Sequence, residues 1–313
     1  MSQSAETYFT LLLGGSGFLG KELRRALSPS LVMSTYHRSP DGDSNSMHFH
    51  AGKTRIRDIV AALPSTPRAA VILFGITGID ACAHDPLGTA EVNVTATARV
   101  IEELRELGIA PIFVSSDAVF DGHRSWSRES DEARPVLTYG QQKLEVEKYI
   151  AALPPPWLVV RLPKLIAENC DPRCMLTAWI QALALEGEIL CATDQYFTPA
   201  AATDVAQAIA ELVRGSAHGL FHLGGPDRVS RRELLSMVVD EYVKFERVRA
   251  RIVDCSLRDL PFAEARPLDT SLCSERASSV LRKKFRDAKT IAKSAVYACM
   301  LSRRGTAPHG SEG

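Results

Sequence analysis

The sequence predicts an α/β protein: a doubly wound parallel sheet followed by a smaller, mixed α/β C-terminal domain. Three observations support this fold class. Short β-rich apolar segments alternate with segments of helical periodicity in the first half, as in parallel sheets with helices on both faces. A glycine-rich segment over residues 14–20 joins the first predicted strand to the first predicted helix. After about Cys170 the alternation weakens, which indicates a second, smaller unit.

Composition limits the classes of function. The 313 residues are 45% hydrophobic and 24% charged, as in a soluble globular protein with a sizeable core. Lys+Arg and Asp+Glu both total 37, so no overall charge favours nucleic acid. The sequence has no membrane-length apolar run and no secretory signal at its start, which predicts a cytoplasmic protein. The seven cysteines are scattered, and the one close pair, Cys170 and Cys174, lacks the partners of a metal site, so no metal is predicted.

The first half reads as strands and helices in turn. The first strand, Tyr8–Leu13, leads into a helix that ends near Ser28. Later helices end where proline or glycine follows, as at Pro64 and Gly108. His48 and His50 alternate on an apparent strand and read as surface or partly buried side chains. The other predicted strands are Leu31–Tyr36, Ala69–Phe74, Pro111–Ser115 and Trp157–Leu162, and the other helices are Ile56–Leu63, Glu91–Leu107 and Tyr139–Leu153.

The second half is less regular. Ser230 with Glu233 three residues later predicts a capping box at the start of a helix. We expect a nucleotide-binding domain over 1–168, a mainly substrate-binding domain over 169–290 with segments returning to the first, and an extension over 291–313. We expect that extension to be a solvated surface helix with a disordered end, with a partner or membrane-surface contact as the alternative. The predicted helices are Met175–Leu185, Thr203–Val213 and Ser230–Val243, and the strands are Leu220–Leu223 and Arg249–Val253.

The glycine-rich segment predicts a dinucleotide site. Gly14, Gly17 and Gly20 have the spacing G-x-x-G-x-x-G between a strand and a helix. The first glycine permits a tight turn, the second lets the backbone approach a pyrophosphate, and the third lets the helix pack on the sheet. Free N–H groups at the helix start would then bind the phosphates. A glycine-rich turn without a ligand is the alternative.

The end of the second strand bears on the choice of cofactor. An acidic residue there would bind the ribose hydroxyls of NAD, but this chain has Tyr36, His37 and Arg38. A guanidinium can bind a 2′-phosphate through charge-assisted hydrogen bonds, so NADP is favoured over NAD. Alternatively, Arg38 opens a solvated loop, or Asp41 folds back and serves NAD.

Tyr139 and Lys143 lie one helical turn apart and predict acid–base chemistry on a carbon–oxygen bond. A phenol is a poor acid–base at neutral pH, and a nearby ammonium is expected to lower its pKa. Tyr139 would protonate a carbonyl oxygen as hydride reaches the carbon. Ser116, at a strand end, would hydrogen-bond the same oxygen. Tyr-x-x-x-Lys alone is common, and the glycine motif upstream gives it weight.

With these residues the chain resembles the extended short-chain dehydrogenase/reductase superfamily. Within it, the stretch Ser115–Gly122 is similar to one in dTDP-4-dehydrorhamnose reductases, and Asp85, Asn93, Arg161 and Arg266 match as well. The resemblance implies a Rossmann-type fold, an NADP-dependent reductase of a carbonyl on a nucleotide-activated deoxysugar, and commonly a homodimer. It spans roughly residues 8–275.

The resemblance also implies roles for individual residues. Ser116, Tyr139 and Lys143 would be catalytic, and Lys143 would also bind the nicotinamide ribose. Phe197 and Arg266 would face the nucleotide-sugar, with a structural ion pair as the alternative for Arg266. The implied cofactor-binding residues are Gly14, Ser16, Gly17, Phe18, Leu19, Gly20, Arg38 and Lys143.

Departures from the reductase pattern keep other functions open. Ala118 stands where those reductases usually have tyrosine, Lys164 lies in a segment without the usual aromatic–glycine ending, and the Cys170–Cys174 region replaces a loop of the substrate pocket. The alternatives are a non-catalytic NADP-binding regulatory subunit of another enzyme, and a nucleotide-sugar epimerase or dehydratase. The fold by itself does not choose among them.

Overall fold

The computed structural model describes residues 9–27, 32–38 and 45–305. Its main sheet contains β1 (Thr10–Leu13), β2 (Val32–Tyr36), β3 (Ser46–His48), β4 (Ala69–Ile72), β5 (Ala110–Ser116), β6 (Leu158–Leu162) and β11 (Gly219–His222). All seven strands pair parallel, in the order β11-β6-β5-β4-β1-β2-β3. The order reverses direction between β1 and β4, which makes the sheet doubly wound. The predicted fold class is confirmed.

Helices cover both faces of this sheet because side chains alternate along each strand. Leu12 of β1 packs on one face with α1 (Phe18–Leu27) and α8 (Ala202–Arg214). Leu11 and Leu13 pack on the other face with α2 (Ile56–Ala61), α5 (Thr97–Glu106) and α6 (Thr138–Ala151). Three short helices, α3 (Ile79–His84), α4 (Pro86–Ala90) and α10 (Glu275–Val280), lie in the connections. No helix in the described part of the chain is long and apolar enough to cross a membrane.

The C-terminal half has its own core. Helices α7 (Met175–Leu183), α9 (Arg231–Tyr242) and α11 (Ala288–Gly305) pack together there. The predicted capping box of α9 is confirmed: Ser230 Oγ accepts from Glu233 N at 3.0 Å, and Glu233 Oε2 accepts from Ser230 N at 2.6 Å. Three strand pairs complete this half: β7 (Leu165–Ile166) with β10 (Ala200–Ala201), β9 (Tyr196–Phe197) with β12 (Val229–Ser230), and β8 (Glu188–Ala192) with β13 (Arg251–Cys255).

The expectation of a solvated surface helix near the C-terminus is wrong for the described residues. Ile291, Val296 and Met300 of α11 are at most 3% exposed and belong to the C-terminal core. The buried side of α11 covers about half of its circumference, and α11 packs on α7 and α9. The tail from residue 306 lies outside the described residues. The domain boundaries stay predictions, although α8 and β11 from the second range join the layers of the main sheet.

One predicted helix is in fact two segments. The region predicted as Glu91–Leu107 begins with a π-helical turn, Glu91–Ala96, before α5. This turn places the buried Asn93 against the segment after β4: Asn93 accepts from Ile76 N at 2.7 Å and donates to Ile76 O at 2.9 Å. The extra residue of a π turn is a common feature near functional sites. His50, predicted on a strand, lies beyond the end of β3.

Candidate active site

The glycine-rich turn follows β1 directly and is fixed by its neighbours. Gly14 N donates to Thr35 Oγ1 at 2.9 Å, so β2 holds the turn. Gly14 has φ +94°, and a Cβ there would lie 2.8 Å from Phe74 N. A Cβ at Gly20 would lie 2.6 Å from Gly15 Cα. Both positions therefore exclude a side chain because the protein backbone occupies the space.

Gly17 is different, and it fits a bound dinucleotide. A Cβ on Gly17 would meet only the carbonyl oxygen of Gly14, at 3.3 Å. Packing within the protein does not explain a glycine here, whereas a pyrophosphate at the start of α1 needs this space. Ser16 and Phe18 flank this position, while Leu19, also predicted to contact the cofactor, turns its side chain into the core with 8% exposed.

Arg38 lies two residues beyond β2 and is exposed. The carboxyl end of this strand is where a doubly wound sheet meets the adenosine ribose of a dinucleotide. Aromatic rings gather beside it: Tyr36 contacts His48 with ring centroids 5.7 Å apart, and His37 contacts His50 at 5.0 Å. Asp41, the acidic alternative, lies outside the described residues.

Ser116 and Tyr139 meet at the carboxyl end of the sheet. Ser116 is the last residue of β5, and its hydroxyl donates to Asp117 Oδ1 at 2.9 Å and accepts from Ala118 N at 3.2 Å. Tyr139 is the second residue of α6, is 9% exposed, and has its hydroxyl near that of Ser116. Gly140 permits this approach, because a Cβ there would lie 2.0 Å from the carbonyl oxygen of Ala118.

Lys143 lies on the same face of α6, one turn after Tyr139. Its Nζ donates to the carbonyl oxygen of Val114 at 2.9 Å and lies 5.7 Å from the centroid of the Tyr139 ring. Burial lowers the pKa of Lys143 to about 8, and the charges of Glu147 and Cys82 oppose this shift. The structure therefore brings the three predicted catalytic residues together.

The pKa of Tyr139 differs from the sequence-based expectation. Burial raises the pKa of the Tyr139 phenol well above its usual range, and the charges of Asp117 and Cys82 act in the same direction. The predicted net lowering of the Tyr139 pKa is wrong: burial dominates, while the Lys143 Nζ donates to the Val114 carbonyl. Tyr139 is consequently suited to hold a proton, as a proton donor must.

Sequence reasoning did not assign two charged residues of the cleft. Asp117 accepts a hydrogen bond from Ser116 Oγ and lies near Thr270, and burial raises the pKa of its carboxyl. Lys164 lies two residues after the end of β6, and burial lowers the pKa of its ammonium, which the charge of Asp117 opposes. Both residues follow strands of the main sheet, and the carboxyl ends of such strands form the ligand crevice. That position is the signal that could have identified them.

The two predicted substrate contacts differ in their surroundings. Arg266 Nη2 lies 2.6 Å from Asp80 Oδ1, so the ion pair considered for Arg266 is present. Its side chain is 8% exposed, and its buried Nη1 has no partner among the described residues. Phe197 is 2% exposed and packs in the C-terminal core. A donor of Arg266 is therefore left without a partner in the described part of the chain, whereas the ring of Phe197 is enclosed by the protein.

A comparison with protein families identifies the chain. The model of the RmlD substrate binding domain matches residues 9–299. The chain belongs to this family. The match includes most of α11, so the family region extends beyond residue 275, where the sequence resemblance was expected to end.

Curated relatives within and near this family have several roles. A probable low-salt glycan biosynthesis reductase of Haloferax volcanii is 27% identical over 229 residues, 71% of this chain and 76% of that protein. The dTDP-4-dehydrorhamnose reductase of Sinorhizobium fredii is 24% identical over 216 residues, 66% and 72%. Methionine adenosyltransferase 2 subunit beta of Bos taurus is 26% identical over 170 residues, 52% and 51%. The crystal structure of a hypothetical dTDP-4-dehydrorhamnose reductase from Sulfolobus tokodaii superposes with a TM-score of 0.78 and 25% identity, covering 90% and 98%.

The RmlD-type chain has its main departure from the reductase pattern beside the catalytic group. Ala118 is 5% exposed and packs with Tyr139, Leu137 and Cys82. A small residue here leaves the Ser116 and Tyr139 hydroxyls in place, since their mutual contact does not involve it. The substitution thus changes the wall of the cleft rather than the groups that would do chemistry.

Proposed function

We propose that this protein is an NADP-dependent reductase that acts on a carbonyl of a nucleotide-activated deoxysugar. The observation that carries the proposal is the meeting of Ser116, Tyr139 and Lys143 at the carboxyl end of the sheet that also holds the glycine-rich turn. Membership of the RmlD family and the names of the relatives agree with this reaction and substrate class.

Each residue of the site would have a separate role in carbonyl reduction. NADPH, when bound, supplies the hydride to the carbonyl carbon. Ser116 Oγ hydrogen-bonds the substrate oxygen, and Tyr139 donates its phenolic proton to the alkoxide that forms. The transfer is downhill even with the raised pKa of Tyr139, because an alkoxide is a stronger base than a phenolate. Lys143, charged at neutral pH, would bind the nicotinamide ribose and stabilise the phenolate left behind.

The cofactor is proposed to be NADP, with NAD as the alternative. Arg38 supports NADP because its guanidinium lies at the carboxyl end of β2, where the 2′-phosphate of the adenosine ribose would lie. Gly14, Gly17 and Gly20, with the flanking Ser16, Phe18 and Leu19, would line the pyrophosphate. On the substrate side, Arg266 would contact the nucleotide-sugar through its free Nη1, and a contact of Phe197 stays a prediction.

A second candidate is a non-catalytic NADP-binding subunit of another enzyme. Ala118 in the cleft wall and the similarity to a methionine adenosyltransferase subunit favour this candidate. An epimerase or dehydratase that oxidises and reduces its cofactor within each cycle is a third. We further propose a homodimer located in the cytoplasm, which light scattering and cell fractionation would test.

The decisive experiment is NADPH absorbance decay with a panel of nucleotide-linked 4-keto-6-deoxysugars, run beside NADH. Decay that requires a panel member, and that falls about 10²–10⁴-fold in Tyr139→Phe, supports the reductase. Tyr149→Phe, on the same helix and away from the cleft, is the matched control and should keep full turnover. Retained turnover in Tyr139→Phe would sink the mechanism. NADPH binding without decay favours the regulatory subunit, and cofactor retained through purification favours the epimerase or dehydratase.

A further inference from the structure

A buried ion pair lies directly behind the catalytic helix. Glu147, one turn after Lys143 on α6, accepts hydrogen bonds from Arg161 Nη2 at 2.6 Å and from Arg161 Nε at 3.0 Å. The Ser115 hydroxyl donates to the same carboxylate. The two charged side chains are 5% and 7% exposed. The Glu147 carboxylate is thus buried and held by hydrogen bonds from Arg161 and Ser115.

The other side of Arg161 is fixed as well. Its Nη1 lies 3.3 Å from His222 Nε2, and His222 Nδ1 lies 3.0 Å from the carbonyl oxygen of Ser127. Burial lowers the pKa of His222 to about 3, so its ring is neutral. A neutral ring that donates from Nδ1 leaves Nε2 to accept from the guanidinium. The network therefore contains one carboxylate and one guanidinium, and of the two it is the carboxylate of Glu147 that comes from the helix of Lys143, one turn later.

Such a pair is costly to bury, since desolvation of both ions commonly exceeds their attraction. The position of this ion pair, one helical turn from Lys143, points to a role in the charge of that lysine. Lys143 is surrounded by the neutral phenol of Tyr139, the Cys82 thiol of α3, the Val114 carbonyl of β5 and the carboxylate of Glu147. Burial raises the pKa of Cys82, so this thiol carries little charge at neutral pH. Glu147 is then the carboxylate that opposes the desolvation of the ammonium.

We propose that Glu147, held by Arg161, His222 and Ser115, is a positioning residue that keeps Lys143 charged in the working site. The proposal rests on the proposed function, because only a charged Lys143 can stabilise the phenolate of Tyr139. Glu147 itself touches neither substrate nor cofactor. It acts across one turn of α6, from the side of the helix that also lines a cavity of about 320 Å³. The other charged residues along that cavity are Arg161, Lys148 and Glu132.

The test measures the protonation of Lys143 directly. The protein is labelled with ¹³C-lysine, and the Cε signal that disappears in Lys143→Met is followed by NMR against pH. In Glu147→Gln the titration midpoint of Lys143 should fall by about one pH unit or more, because the nearest negative charge is lost. Glu145→Gln, an exposed acid on the same helix, makes the same charge change and should leave the midpoint in place. Glu147→Asp keeps the negative charge, so the titration midpoint of Lys143 in this variant should stay close to the wild-type value.

Folding of each variant is checked by thermal melting. Should Glu147→Gln alone not fold with Arg161 left unpaired, the double variant Glu147→Gln/Arg161→Met removes both charges. It should lower the midpoint by less than the single variant would, because the lost guanidinium partly offsets the lost carboxylate. A folded variant of either kind with the wild-type midpoint would overturn the proposal. Because the signal needs no turnover, this result is independent of whether any panel sugar is reduced. In an active enzyme, the loss of kcat at alkaline pH should move to lower pH in Glu147→Gln and not in Glu145→Gln.

Discussion

Replacing Gly140 with alanine would test whether the contact between Ser116 and Tyr139 depends on the close approach of α6 to the turn after β5. A Cβ on residue 140 would lie 2.0 Å from the carbonyl oxygen of Ala118 and 2.9 Å from Pro135 Cβ. Carbon–oxygen contacts of this kind are normally no shorter than about 3.3 Å. The start of α6 would therefore have to move away from Ser116 by about 1 Å.

A displacement of about 1 Å at reacting groups is expected to lower turnover by about 10²-fold. Overpacking should also cost about 1–3 kcal/mol of the free energy of unfolding. The assay is kcat in the NADPH decay experiment, with the melting temperature measured on the same sample. Gly52→Ala is the control, because a Cβ there meets nothing closer than His50 Cε1 at 3.5 Å. Turnover in Gly140→Ala equal to that of Gly52→Ala would refute the argument that this glycine sets the catalytic geometry.

Three further predictions concern cofactor choice, the charge of the site and the C-terminal core. Arg38→Ala should weaken NADPH binding about 10- to 10²-fold through the loss of a charge-assisted hydrogen bond, and fluorescence titration should show NADH binding unchanged. Lys143→Met should abolish turnover yet raise the free energy of unfolding at pH 7 by about 1–2 kcal/mol. The reason is that the folded pKa of about 8 lies below the unfolded value of about 10.4, so burying the charged form costs stability below pH 8, and this cost fades as pH rises toward 10. A lower stability of Lys143→Met in urea unfolding would contradict this sign. Val296→Asp in α11 should cost about 3 kcal/mol or more by burying an unpaired charge, whereas a melting temperature equal to wild type would contradict the assignment of α11 to the core.

Much of the Rossmann half could be predicted from local patterns. Strands such as β1 and β6 are short apolar runs, and helices end at residues that cannot continue them, such as Gly108. The spacing of Gly14, Gly17 and Gly20 identified the turn, and the spacing of Tyr139 and Lys143 identified one face of α6. These features are local, because periodicity and backbone permissiveness act over a few residues.

The C-terminal part was harder to predict. The face of α11 that carries Ile291 and Val296 has helical spacing in the sequence, yet the sequence does not state which surface covers it. Packing against α7 and α9 decided that this helix belongs to the core. Phe197 likewise reads as a candidate ligand contact in the sequence, and its burial follows from strand pairing of β9 with β12.

By itself, the sequence determined the fold class and the glycine-rich turn, and it made Ser116, Tyr139 and Lys143 the candidate catalytic residues. The tertiary structure decided in which direction the pKa values of Tyr139 and Lys143 shift, and which residues surround them. Lys143 is directed to a strand carbonyl, Tyr139 is held in its protonated form, and Glu147 opposes the desolvation of the lysine. Burial and charge at a site depend on residues brought together from distant parts of the chain, as Arg161 and His222 are behind α6. Burial and charge at the site are properties of the assembled fold, and no local pattern in the sequence contains them.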